Sequence, residues 1–195
     1  MSKLMSDYEL ILKFIKGEQS CFEKLIQRHK NKVFAYISLY IRDQALAEDI
    51  FQDTFLKVIQ SVKTGKYADN GKFLSWVMRI AHNLIIDHFR RIKQMNTISN
   101  DNYESDLFNS KAFAEDNVED DMIKRQIQKD VRKMIGQLPD DQREVVILRH
   151  YAGLSFKEIA DITDVSINTA LGRMRYALIN MRRIMVENKI SLTTS

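Results

Sequence analysis

Apolar residues recur at three- and four-residue intervals along most of this chain, and two-residue alternation is scarce. That pattern predicts helices rather than strands. Leu10, Ile11, Phe14 and Ile15 set a first helix over 7–16, which stops at Gly17. A second, over 20–42, carries Phe22, Leu25, Ile26, Val33, Ile37 and Ile41 on one side. A third, over 44–62, turns Leu46, Ile50, Phe55, Val58 and Ile59 inward. The stretch TGKYADNGK breaks the period with its glycines and an Asn70–Gly71 pair, the signature of a loop. A fourth helix, over 73–93, shows Leu74, Val77, Ile80, Leu84 and Phe89 as its apolar side and ends in basic residues.

The period then lapses. Residues 99–121 hold eight acids against Lys111 alone, with few strongly apolar positions. Such composition reads as an acidic flexible linker, over 96–120, between helical domains at 1–95 and 121–190. A long surface loop of a single domain is the competing reading, disfavoured because compact domains rarely carry structureless loops of that length. Helices resume over 121–136, 139–150, 155–163 and 166–187, with no fixed repeat. The expected fold is all-α, two helical domains joined by a flexible linker.

The last two helices are the most informative. Ser155 and Ser166 each stand where a helix should begin, and Glu158 completes a capping box with Ser155. Only the residues TDV separate the pair, with Val165 available to fill the angle between them. Phe156, Ile159, Ala160 and Ile162 form the inner face of the first helix. Ile167, Ala170, Met174, Ala177, Leu178 and Met181 form that of the second. Two short capped helices around a tight turn predict a helix-turn-helix. On the outer side, Asn168, Gly172, Arg175 and Tyr176 fall at i, i+4, i+7 and i+8, flanked by Thr169 and Leu171. A mid-helix Gly costs about 1 kcal/mol against Ala. If this stripe enters a major groove, Gly172 lets the backbone sit close to DNA, Arg175 reaches a guanine edge and Arg173 a phosphate. The alternative is an ordinary solvated face with a tolerated Gly.

Composition narrows the function. Apolar residues are 45% of the 195, ample for packed cores, and a net charge of +4 permits an acidic partner without demanding one. A single cysteine, Cys21, excludes an internal disulfide and suits a reducing cytosol. The opening MSKLMSDYEL lacks the apolar run of a signal peptide, and no stretch approaches membrane-spanning length. The expectation is a soluble cytoplasmic protein with no membrane insertion. His29, His82, His88 and His150 are dispersed, and neither a phosphate-binding GxxxxGK[ST] nor a GxSxG elbow occurs. No catalytic residue, metal or cofactor is expected, and the chain does not read as an enzyme.

Two separated motif sets carry a family resemblance. The first is AEDIFQDTFLKVIQ followed by FLSWVMRIAHNLIIDHFRR; the second is LPDDQREVVILRHYAGLSFKEIADITDVSINTALGRMRYALINMRR. In order and spacing they resemble the bacterial sigma factors of the extracytoplasmic-function (ECF) group. The resemblance implies that the first set binds core RNA polymerase and melts the −10 promoter element, and that the second reads the −35 element. Apolar helix faces in both halves could be covered by an anti-sigma factor, a further candidate partner.

Residue by residue, the resemblance places Asp49, Gln52 and Asp53 against the polymerase; their i, i+3, i+4 spacing alone equally fits a solvated face. It nominates Arg79, His82, Asn83, Asp87, Arg90 and Arg91 for the −10 element. Arg90 and Arg91 can neutralise phosphates, and Asn83 can bond a base edge. Trp76 is left between a core aromatic and a stacking platform. The loop over 66–72 corresponds to one that captures an extruded base. For the −35 element it nominates Arg149, Asn168, Thr169, Leu171, Gly172, Arg175 and Tyr176, with Arg173 on the DNA backbone. Leu171 and Gly172 depart from the commoner polar, often basic pair. A leucine can touch a thymine methyl but donates nothing, which leans toward readout of DNA shape. The competing functions are a stand-alone helix-turn-helix regulator of duplex operators and a helical adaptor with no DNA role.

Overall fold

The computed structural model describes residues 5–41, 43–68, 71–96 and 121–190. Every regular element among the described residues is an α-helix: α1 (Asp7–Ile15), α2 (Gln19–Tyr40), α3 (Gln44–Lys63), α4 (Phe73–Asn96), α5 (Asp121–Gly136), α6 (Asp140–His150), α7 (Phe156–Thr163) and α8 (Ile167–Glu187). They divide into two compact units, α1–α4 and α5–α8. The expected linker lies outside the described residues, apart from Asn96, which closes α4. No described helix is long and apolar enough to cross a membrane.

In the first unit, chemistry at the helix ends sets the boundaries. Ser6 and Glu9 form a reciprocal capping box at the start of α1, and Gly17 turns the chain away with φ +105°. The Asp43 carboxylate accepts from the Leu46 N–H to begin α3. The second helix ends earlier than its apolar period suggests: Ile41 is extended, and Arg42 lies outside the described residues. α2 packs against α1, α3 and α4, so it is the central post of the unit. Its buried Leu25, Val33, Tyr36 and Ile37 belong to a core that also takes in Leu10 and Phe14 from α1, and Ile50, Phe55 and Val58 from α3. The Asp7 carboxylate binds Arg28 and lies 2.8 Å from His29 Nε2, fastening α1 to α2. Burial alone would raise the pKa of Asp7. The hydrogen bond and charge of His29, then those of Arg28, outweigh burial and hold it below 3.8.

The buried side of α4 differs from the sequence expectation. Phe73, Val77, Met78, Ala81 and Ile85 are buried, whereas Leu74, Ile80, Leu84 and Phe89 are only half-buried. The helix presents a seam spaced by fours, with small Ala81 at its centre, because a small residue lets α4 approach its neighbours closely.

In the second unit, Arg143 is a buried cation that organises the α5–α6 turn. Its Nε donates to the Ile135 carbonyl at 3.2 Å, and its Nη2 to those of Gly136 at 3.1 Å and Leu138 at 2.6 Å. The Ile135 and Gly136 carbonyls lie at the end of α5, where a helix runs out of its own donors, and that of Leu138 lies in the turn beyond it. The α7 capping box forms as expected, Ser166 accepts from the Thr169 N–H, and Asp164 turns between the helices with φ 53°. On α8, Ala170, Met174, Ala177 and Ile184 are buried, but Ile167 and Leu178 are exposed, contrary to expectation. The reason is a polar seam on the opposite flank, which rolls α8 toward α6. Arg173 Nε lies 3.3 Å from Asp141 Oδ2, and Asn180 Nδ2 donates to Gln142 Oε1 at 2.7 Å.

Candidate nucleic-acid interface

Three exposed helix faces result, two on the first unit and one on the second. On α3, burying Ile50, Phe55 and Val58 leaves Asp49, Gln52 and Asp53 together on the outside. The same face includes Leu56, seven positions after Asp49 and 54% exposed. Sequence reasoning missed this residue. Continuing the i, i+3, i+4 spacing by one more turn reaches it. Acids, an amide and an uncovered leucine make a surface suited to a basic, partly apolar helical partner.

On α4, Arg79, Asn83, Ile86 and Arg90 fall at i, i+4, i+7 and i+11 and are all exposed. One turn earlier in the helix stands half-buried Trp76. Asp87 lies 3.8 Å from Arg90, and Arg91 is exposed beside them. Ile86, an exposed apolar residue amid this basic stripe, was not foreseen. His82 is turned off the stripe: its Nδ1 lies 2.8 Å from the hydroxyl of fully buried Tyr36 on α2. The structure therefore sets Arg79, Asn83, Arg90 and Arg91 on the surface and ties His82 to the core.

Trp76 is half-buried in an aromatic cluster. Its ring centroid is 4.4 Å from that of Tyr67 and 6.1 Å from that of Phe73. Tyr67 belongs to the loop before α4, and the loop's root is pinned by the Lys66 N–H donating to the Ser61 carbonyl at 2.9 Å. A half-buried indole thus seats the loop while keeping part of its surface in solvent. Residues 69–70 of that loop lie outside the described residues.

On α8, Asn168, Thr169, Leu171, Arg175 and Tyr176 are exposed, with Tyr176 at 62%. Gly172 sits among them with helical backbone, and a Cβ added there would meet nothing within 4 Å. Nothing among the described residues therefore requires a glycine. Arg149, at the end of α6, donates to the Leu154 carbonyl at 2.8 Å and stands 5.2 Å over the Phe156 ring. It is held at the entrance to α7 and is exposed. On α8, Arg173 is engaged by Asp141 of α6 at 3.3 Å. Among the described residues no cluster of His, Cys, Asp or Glu could hold a metal ion.

Comparisons with known proteins fall on these same elements. Residues 25–94 match the family model described as Sigma-70 region 2, and residues 128–175 match Sigma-70, region 4. The chain is 30% identical over 180 residues to the RNA polymerase sigma factor CarQ of Myxococcus xanthus, covering 92% of this chain and 98% of that one. It is 27% identical over 194 residues to the ECF RNA polymerase sigma-E factor of Haemophilus influenzae, covering 97% and 98%. In fold it is similar to CnrH, solved in complex with the cytosolic domain of CnrY, with a TM-score of 0.61 at 22% identity over 94% of this chain and 99% of that one. It is also similar to the sigma factor RpoE of Bartonella quintana, solved with the anti-sigma factor NepR, with a TM-score of 0.62 at 19% identity over 84% and 96%.

Proposed function

Since the chain belongs to the sigma-70 family, as an ECF sigma factor, we propose that its two units divide promoter recognition through the three exposed faces just described. The α3 face, with Asp49, Gln52, Asp53 and Leu56, docks on core RNA polymerase. The α4 stripe takes the −10 element: Arg79, Arg90 and Arg91 neutralise phosphates, Asn83 meets a base edge, and Trp76 offers its exposed part to an unstacked base. His82 serves this face from behind, through Tyr36. The α8 stripe lies in the major groove of the −35 element, with Arg175 on a base edge, Leu171 against a thymine methyl and Arg149 on a phosphate. Asn168, Thr169 and Tyr176 border that contact.

Domains at 1–95 and 121–190, joined through 96–120, follow from this division. The protein works in the cytoplasm with the polymerase and contributes specificity rather than catalysis. Since two fold relatives were solved bound to CnrY and to NepR, an anti-sigma factor covering this chain's exposed faces is a further partner.

The observation that carries the reading is the coincidence of matched regions with outward-facing chemistry: α3 and α4 in one unit, α8 behind a capped partner helix in the other. Run-off transcription with core polymerase on a genomic promoter library tests it. Selective starts that depend on the added protein are expected. Starts no more selective than those of core enzyme alone overturn it. A shift of promoter duplex by the protein without polymerase, at equal specificity, would instead favour the operator-binding regulator.

A further inference from the structure

We propose that Arg173 does not contact promoter DNA but is a positioning residue, which fixes the roll of α8 against α6 so that Arg175 faces the groove. This rests on the reading of α8 as the −35 helix, and it departs from the backbone contact that the family resemblance implies for Arg173.

The geometry separates the two arginines. Each residue turns an α-helix by about 100°, so Arg173 and Arg175 point about 160° apart. Arg175 shares its side with Asn168 and Gly172. Arg173 shares its side with Ala177, Asn180 and Ile184, at i, i+4, i+7 and i+11, and Ala177 and Ile184 are buried there. The Arg173 guanidinium closes on Asp141, in the first turn of α6, at 3.3 Å. Its side chain is 24% exposed against 48% for the aspartate, so the arginine is the more enclosed partner. Two turns along, Asn180 donates to Gln142, the residue after Asp141, at 2.7 Å. Consecutive α6 residues thus grip one flank of α8 at two heights. Two such points define a rotation, whereas small Ala170 and Ala177 at the apolar contact would let the helix roll. Asp141 also places a negative charge where a phosphate would have to come to reach Arg173, and a carboxylate already paired there repels it.

The test uses the full chain bound to core polymerase and measures promoter affinity across a salt series. The variants are Arg173→Gln, Asp141→Asn, both together, and the exchange of Arg173→Asp with Asp141→Arg. As a positioning pair, each single variant lowers affinity by about twofold to fivefold. The double loses no more than either single, the slope of affinity against salt stays unchanged, and the exchange restores binding. The proposal is overturned if Arg173→Gln lowers that slope by about one, the mark of a lost phosphate contact, or if Asp141→Asn leaves affinity unchanged or raises it. Asp141→Asn carries the decision should the exchanged chain fail to fold, because its side chain is half exposed. Arg175→Ala, run alongside, separates the two readings: if it costs nothing, the −35 assignment of α8 fails whatever Arg173 does.

Discussion

The Nη2 of Arg143 donates to the carbonyl of Leu138 at 2.6 Å, from a side chain that is almost wholly buried. The same guanidinium takes the Ile135 and Gly136 carbonyls and lies 3.5 Å from Asp140, so one cation ties the end of α5 to the start of α6. Arg143→Met keeps much of the apolar stem but takes the donor from the Gly136 and Leu138 carbonyls, while that of Ile135 keeps the Leu138 N–H at 3.2 Å. A loss of about 1–3 kcal/mol is expected, the range for leaving buried polar groups without partners. The damage should be confined to the second unit. Trp76, the chain's one tryptophan, lies in the first unit. Denaturation followed by circular dichroism should therefore shift while tryptophan fluorescence does not.

Gly172 gives the second prediction, because its two effects have opposite signs. A methyl group there meets nothing within 4 Å, so Gly172→Ala should stabilise α8 by about 1 kcal/mol. If the helix backbone lies close to DNA, the same methyl intrudes on the groove and lowers transcription from −35-dependent promoters. A variant with a raised melting temperature and reduced promoter use is expected. Full activity would show that close approach is not why the glycine is there.

These two residues also show what the chain discloses locally and what it does not. The Ser155–Glu158 box, the stop at Gly17 and the outward stripe of α8 are local spacing rules, and the structure follows them. Which arc of α4 or α8 becomes buried is not local. Several adjacent arcs are apolar enough, and the choice falls to partners distant in sequence. His82 is drawn inward by Tyr36, 46 residues away. Ile167 and Leu178 are left outside because Asp141 and Gln142 hold the other flank of α8. Sequence patterning could list the residues of each face, but it could not tell which arginine of α8 an α6 carboxylate had already engaged.

Leu56 supplies a prediction about the polymerase surface. A leucine this exposed gains nothing for the fold, so Leu56→Ala should leave stability within about 0.5 kcal/mol of the parent. If the α3 face docks on core polymerase, the truncation removes an apolar contact between Gln52 and Gln60 and should weaken that association by about threefold to tenfold. Asp53→Lys, which reverses a charge on the same face, should weaken it further and make it less sensitive to salt. Competition between each variant and labelled parent for core enzyme measures both. Unchanged competition by both variants would remove α3 from the docking surface.

Asp7 predicts the direction of the acid response. Its carboxyl is held below 3.8 in the folded chain, through His29 and Arg28, despite the opposing effect of burial. The unfolded chain therefore takes up this proton at a higher pH than the folded one does. The stabilisation is complete above about pH 4 and is lost as the pH falls through the folded value, because protonation releases both Arg28 and His29 from their shared anion. Asp7→Asn should lower stability at neutral pH and flatten its decline below pH 4. Trp76 fluorescence reports this unit specifically, so thermal melts of parent and variant between pH 3 and pH 7 provide the measurement. Parallel curves across that range would mean that the α1–α2 fastening contributes no pH dependence of its own.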